Sequence, residues 1–117
     1  MKFMLMQYVR EAGWGALNPT EQEEWLAIVR GYVEAMKAAG ILRESIGLQW
    51  SSAATTVRTT DGRLQVLDGP YADTREQLGG AYIIEVADLD EAIAWASRSA
   101  TAIHGVVEVR PFRESPL

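Results

Sequence analysis

Asp68-Gly69-Pro70-Tyr71-Ala72-Asp73-Thr74-Arg75-Glu76-Gln77-Leu78-Gly79-Gly80 separates two readable halves of the chain. Glycine and proline punctuate local structure, and here they bracket a run of polar and ionisable side chains. Pro70 has no N–H and biases Gly69 towards extended backbone. Asp68 has two readings. It can tie the turn by accepting backbone N–H groups, or it can act as a general base if burial raises its pKa. The stretch as a whole is either a well-built connection or a binding loop that presents Asp68, Asp73, Arg75, Glu76 and Gln77 to a ligand.

Working outward, Thr55 to Thr60 and Arg63 to Leu67 are β-rich runs separated only by Asp61-Gly62, a strong two-residue hairpin signal. On the other side, Ala81 to Val86 reads as a strand apolar on both faces, hence central in its sheet. Asp88-Leu89-Asp90-Glu91 then opens a helix to about Ser99, with Leu89, Ala92, Ile93 and Ala96 as its buried stripe. Val106 to Phe112 is the last strand, and Pro111 suits it to an edge.

Towards the N-terminus, Phe3 to Val9 is a second strand apolar on both faces. Glu11 to Leu17 has neither period and reads as a loop, with Trp14 a core anchor or a pocket wall. Asn18-Pro19-Thr20-Glu21 is a helix start, followed by Trp25, Leu26, Val29, Val33 and Met36 at helical spacing, and Ala39-Gly40 closes the helix. Ile41 to Trp50 leads into a strand, clearest over Ile46 to Trp50. The order is β-α-β, a hairpin, then β-α-β, within one domain spanning 1–117. This predicts an α+β, ferredoxin-like split βαβ sheet with both helices on one face.

Period-two bookkeeping assigns Met4, Met6, Tyr8, Ile46, Leu48, Trp50, Tyr82, Ile84, Val86, Val107 and Val109 to the helix-covered face. The opposite face then carries Phe3, Leu5, Gln7, Val9, Gly47, Gln49, Ala81, Ile83, Glu85, Val106, Glu108, Arg110 and Phe112. That second face is too apolar for bare solvent, and the simplest cover is the same face of a second subunit. A one-residue slip exchanges the faces of any strand. Glu85, Glu108 and Arg110 are either a network inside such a dimer or cross-strand pairs reaching solvent.

Composition narrows the function. In 117 residues, 48% hydrophobic and 23% charged, the net charge is −5, which argues against a nucleic-acid partner. Without cysteine there is no disulfide, thiolate nucleophile or thiolate metal site, and one histidine with scattered carboxylates has no metal-ligand spacing. No phosphate-binding or dinucleotide fingerprint and no nucleophile elbow occurs, so no cofactor and no metal are expected. The N-terminal run is broken by Gln7 and no membrane span is present, so a cytoplasmic location is expected. His104 can serve as a general acid or base, although its loop context reads as a surface connection.

Asp68-Gly69-Pro70-Tyr71, followed by Glu76-Gln77-Leu78-Gly79-Gly80, resembles the DGPF branch of the YCII-related proteins. Gly47-Leu48-Gln49, Thr55-Thr56-Val57-Arg58, Asp88-Leu89-Asp90-Glu91-Ala92 with Trp95-Ala96, and Val107-Glu108-Val109-Arg110-Pro111 extend the resemblance over almost the whole chain. It implies a ferredoxin-like subunit that dimerises sheet to sheet as a dimeric α/β barrel. It implies much less about chemistry: Asp68 matches the motif Asp and is the catalytic candidate. With Tyr71, Arg75 and Glu76, and Gln49 and Gln7 from the sheet, the first hypothesis is a small-molecule site between subunits, either for binding alone or for a cofactor-independent enzyme. Some YCII-like proteins pair a His with an Asp, but here the first helix has no His, which puts that dyad in doubt. Many relatives are encoded beside extracytoplasmic-function sigma factors, which makes a non-catalytic module acting with a sigma factor the alternative. Whether the protein is an enzyme stays open at this point.

Overall fold

The computed structural model describes residues 1–115. Strand β1 (Lys2–Val9) leads into a short helix α1 (Glu11–Gly15) and the long helix α2 (Pro19–Ala38). Strand β2 (Leu42–Gly47), a hairpin of β3 (Thr55–Thr60) and β4 (Arg63–Asp68), and β5 (Gln77–Glu85) follow. Helices α3 (Leu89–Ser97) and α4 (Thr101–His104) precede the last strand β6 (Val106–Pro111). The main sheet is antiparallel in the order β2-β5-β1-β6, which puts the two doubly apolar strands in its centre and Pro111 on an edge. This is the strand order that two interleaved βαβ halves produce.

Both long helices start as their sequences dictate. The Asn18 side chain accepts the Glu21 N–H at 2.9 Å, and the Glu21 carboxylate accepts the Asn18 N–H at 3.0 Å, a complete capping box with Pro19 in the first turn. Asp88 accepts the Glu91 N–H at 2.9 Å, and the Glu91 carboxylate accepts from Ala87. At the hairpin tip Asp61 and Gly62 have φ of 53° and 74°, the double left-handed turn that a two-residue loop requires.

The core lies between the sheet and α2 and α3. Phe3, Leu5 and Ile84 of the sheet meet Tyr32 and Met36 of α2 and Ala92 and Ala96 of α3. The alanines let α3 approach closely, while Leu89 and Ile93, expected in its buried stripe, are half exposed. Tyr32 donates its hydroxyl to the Trp95 carbonyl at 2.6 Å and sets its ring edge-on to Tyr82 at 5.5 Å.

Three expectations are corrected here. Glu11 to Gly15 is a helical turn rather than a loop. Strand β2 lies earlier than its clearest sequence pattern, ending at Gly47, with an irregularity between Leu42 and Glu44. Most consequentially, β1 turns the other way: Phe3, Leu5 and Gln7 face the helices and are buried. Met4 and Met6 pair with Ile83 and Ala81, so they lie on the bare face, and Ile46, paired with Ala81, joins them. Alternation could not decide this, because β1 is apolar at both sets of positions. Glu108 and Arg110 also lie on the bare face, across from Met6 and Met4, and form an ion pair with each other.

The bare face and the projecting hairpin leave a large surface. The chain exposes 8100 Å², whereas a compact monomer of 12.9 kDa exposes about 6300 Å². On the hairpin, Val57 and Val66 are paired across the strands and both are exposed, with Leu64 beside them.

Tyr32 generates a pH-dependent prediction. Burial, with Tyr82 adding to it and Arg98 opposing, pushes its phenol up to about 12. The folded chain therefore holds a proton that the unfolded chain releases near pH ~10. The resulting stability is complete below that pH and is lost as the pH rises from about 10 towards 12. Tyr32→Phe is expected to lose about 1 kcal/mol at neutral pH, with the hydroxyl's hydrogen bond, and to flatten the alkaline decline. Urea unfolding of both proteins between neutral and alkaline pH measures this. An equally steep decline in the variant counts against the assignment.

Candidate functional site

The loop after β4 is held by its own side chains. Gly69 donates its N–H to the Ala54 carbonyl at 2.7 Å, and the Thr56 hydroxyl donates to the Gly69 carbonyl at 2.8 Å, tying both ends of the hairpin base. Gly69 has φ of 104°, a positive value that residues with a side chain rarely adopt. Further on, the Gln77 amide donates to the carbonyls of Ala72 and Thr74 at 2.7 and 2.9 Å, and the Thr74 hydroxyl donates to the Glu76 carbonyl at 2.6 Å. Arg10 pairs with Glu76 at 3.1 Å and anchors the loop to the end of β1.

This arrangement opens a broad groove of about 710 Å³ between the loop and the segment after β2. Gln49, Tyr71 and Glu76 line it together, joined by Tyr8, Trp50, Thr56 and Gln77. The other expected site residues lie elsewhere. Asp68 is the last residue of β4, paired with Thr55, exposed, and without a side-chain hydrogen bond among the described residues; it does not line the groove. It neither ties the turn with its side chain nor sits in a buried environment. Arg75 is exposed, pairs with no described residue and is likewise outside the lining. Gln7 is buried against the helices, where it accepts the Ser99 hydroxyl at 2.7 Å and donates to the Leu5 carbonyl at 3.1 Å. Tyr71 is 80% exposed, with the Arg58 guanidinium 5.8 Å from its ring centroid.

Tyr8 and Trp50 escaped notice as groove residues because each depends on a register. A bulge between Gln7 and Tyr8 puts Tyr8 opposite Leu78, at the end of the bare sheet face. The groove is therefore continuous with that face.

A second, tighter cavity of about 350 Å³ opens behind Trp50, on the helix side. Trp14 of α1, Trp25 of α2 and His104 of α4 line it with Trp50. Trp14 is thus a pocket wall, and His104 is packed edge-on against Trp25 at 5.5 Å. Glu11 accepts the backbone N–H of Ser51 at 2.7 Å as well as its hydroxyl, joining α1 to the segment that carries Trp50.

Among the described residues, no helix is long and apolar enough to cross a membrane. Nor do three or more His, Cys, Asp or Glu side chains gather where they could hold a metal ion.

The left-handed Gly69 can be tested directly. Nothing stands within 4 Å of a Cβ added there, so Gly69→Ala isolates the backbone term, about 1–2 kcal/mol. Amides bonded across the hairpin base, Gly69 to Ala54 among them, are expected to exchange roughly 5–30 times faster in the variant. Unchanged exchange there speaks against the left-handed geometry.

The family model of the YCII-related domain matches residues 1–115. The chain is also 38% identical over 117 residues to an uncharacterized protein of Rhizobium meliloti (strain 1021), covering 95% of this chain and 91% of that protein. Sheet order, capped helices and whole-length match agree, and the chain belongs to the YCII-related family.

Proposed function

We propose that residues 1–117 act as one domain that pairs with a second copy through the bare sheet face and holds a small molecule in the groove beside the Asp68–Tyr71 loop. The observation that carries this reading is the continuity of the two features. Met4, Met6, Ile46 and Ile83 form an apolar face that the helices leave uncovered, and Tyr8 and Leu78 lead from it into the groove. A second copy laid on that face also roofs the groove, giving a dimeric α/β barrel with two closed sites. The surface in excess of a compact monomer, about 1800 Å², is ample for an interface that typically takes about 800 Å² per partner.

Within the groove, Gln49 offers an amide, Tyr71 a hydroxyl and Glu76 a carboxylate already oriented by Arg10. These groups suit binding and orientation of a polar small molecule. Asp68, exposed and outside the lining, loses its claim to be a catalytic base in this reading, and no reaction is assigned.

A second reading has its own observation in support. Exposed Val57, Leu64 and Val66 on the hairpin, with Asp68 in solvent, suit a non-catalytic module that engages a protein partner such as an extracytoplasmic-function sigma factor.

Met6→Glu separates the readings. The substitution places a charge at the centre of the bare face without touching the core. Sedimentation is expected to give a dimer for the wild type and a folded monomer for the variant, with unchanged circular dichroism. A compound from a metabolite panel that raises the wild-type Tm is expected to lose its effect in Met6→Glu and in Gln49→Ala. A monomeric wild type at micromolar concentration, with no compound raising its Tm, overturns the first reading and favours the second.

A further inference from the structure

The cavity behind Trp50 shares that one residue with the groove and otherwise has a different lining and a different chemistry. Three indoles and one imidazole meet there from four places in the chain: Trp14, Trp25, Trp50 and His104. Trp14 and Trp50 have ring centroids 6.3 Å apart at 42°, while Trp25 and His104 form the edge-on pair. Val9 and Leu17 complete an apolar lining. A concave, aromatic site with a few polar groups is the usual form of a small-molecule pocket, and this volume falls within the usual range. Aromatic rings present flat faces on which another ring stacks.

The polar inventory sets the charge of the occupant. The indole N–H groups of Trp14, Trp25 and Trp50 have no hydrogen-bond partner among the described residues, and indoles only donate. Neither His104 ring nitrogen has one either. Arg10, which also lines the cavity, bonds Glu76 through Nε and leaves its two terminal nitrogens unbonded among the described residues. Two carboxylates lie nearby and both are engaged, Glu11 by Ser51 and Glu76 by Arg10 Nε. The cavity therefore has many donors and few acceptors. An aromatic cage alone would also suit a cation, but this cavity is lined by Arg10 and by no carboxylate.

We propose that this tryptophan-walled cavity is a second ligand site, built for a flat aromatic molecule that carries a carboxylate or an equivalent hydrogen-bond acceptor. The rings stack on the indoles, and the acid group meets the terminal Arg10 nitrogens. The proposal does not depend on the groove or on dimer formation.

The protein provides its own reporters. Of its four tryptophans, three line the cavity; Trp95 instead packs with Tyr32 and beneath the Arg98 guanidinium, 4.3 Å from its ring centroid. Its single histidine is His104. Naphthoate, naphthylmethanol and naphthylmethylammonium, which share one ring system, are titrated into isotope-labelled full-length protein while indole N–H and imidazole signals are followed by NMR. Naphthoate is expected to move three indole signals and the His104 ring saturably, with Trp95 unmoved. It is expected to bind at least about tenfold tighter than the ammonium compound. Arg10→Gln, at a half-exposed position, is expected to keep the fold and lose that preference, whereas Trp25→Ala weakens all three probes. The proposal is overturned if naphthoate moves none of the three indoles at millimolar concentration. It is equally overturned if Trp95 moves with them, or if the ammonium compound binds as tightly as naphthoate.

Discussion

The hydrogen bond from the Ser99 hydroxyl to the Gln7 side chain is what allows the central strand to face as it does. Leaving a buried amide unpaired costs about 1–3 kcal/mol, so Gln7 can turn inward only where a partner waits. Ser99, just beyond α3, is that partner, and the Leu5 carbonyl takes the amide N–H. With Gln7 inward, Phe3 and Leu5 must also be inward, and Met4, Met6 and Tyr8 must lie on the other face. The position of the helices, the composition of the bare face and the place of Tyr8 beside the groove all follow from this choice.

The parts of the fold legible in the sequence are those fixed by local chemistry. Asn18 with Glu21 and Asp88 with Glu91 mark helix starts because the bonds they make span only three residues. Asp61-Gly62 marks the hairpin because few residue pairs tolerate two left-handed positions in succession. The face of β1 was not legible, since methionines alternate there with phenylalanine and leucine, and the deciding partner lies 92 residues away. Strand β5 is apolar on both faces too, which marks it as central without fixing which face meets the helices. The short helix α1 has no sequence pattern of its own; Gly13 and Gly15 lower its propensity, and it relies on Glu11 bonding to Ser51.

The candidate sites divide in the same way. The Asp68-Gly69-Pro70-Tyr71 loop was visible as a loop, and Tyr71, Glu76 and Gln49 do meet in one groove. Asp68 drew attention as the ionisable residue of the motif, yet Gly69 does the structural work there through its backbone, and Asp68 faces solvent. The tryptophan cavity left no sequence signal. Trp14, Trp25 and Trp50 have no common spacing, and each reads individually as core. Only the convergence of α1, α2 and the segment after β2 at one end of the sheet brings them together with His104.

The strand order also sets a timetable for folding. Strand β1 is made well before its two neighbours, β5 and β6, with Phe3 paired to Ile84 on one side and to Pro111 on the other. Every hydrogen bond along both edges of β1 closes a loop of about 70 residues or more. Such long-range pairings slow folding, because chain entropy is lost before any contact repays it. While the chain emerges from the ribosome, Phe3, Leu5 and their neighbours have no strand to join until β5 has been made. The helices and the hairpin, whose contacts are local, can form in the meantime, and the sheet is completed last, around the earliest of its strands.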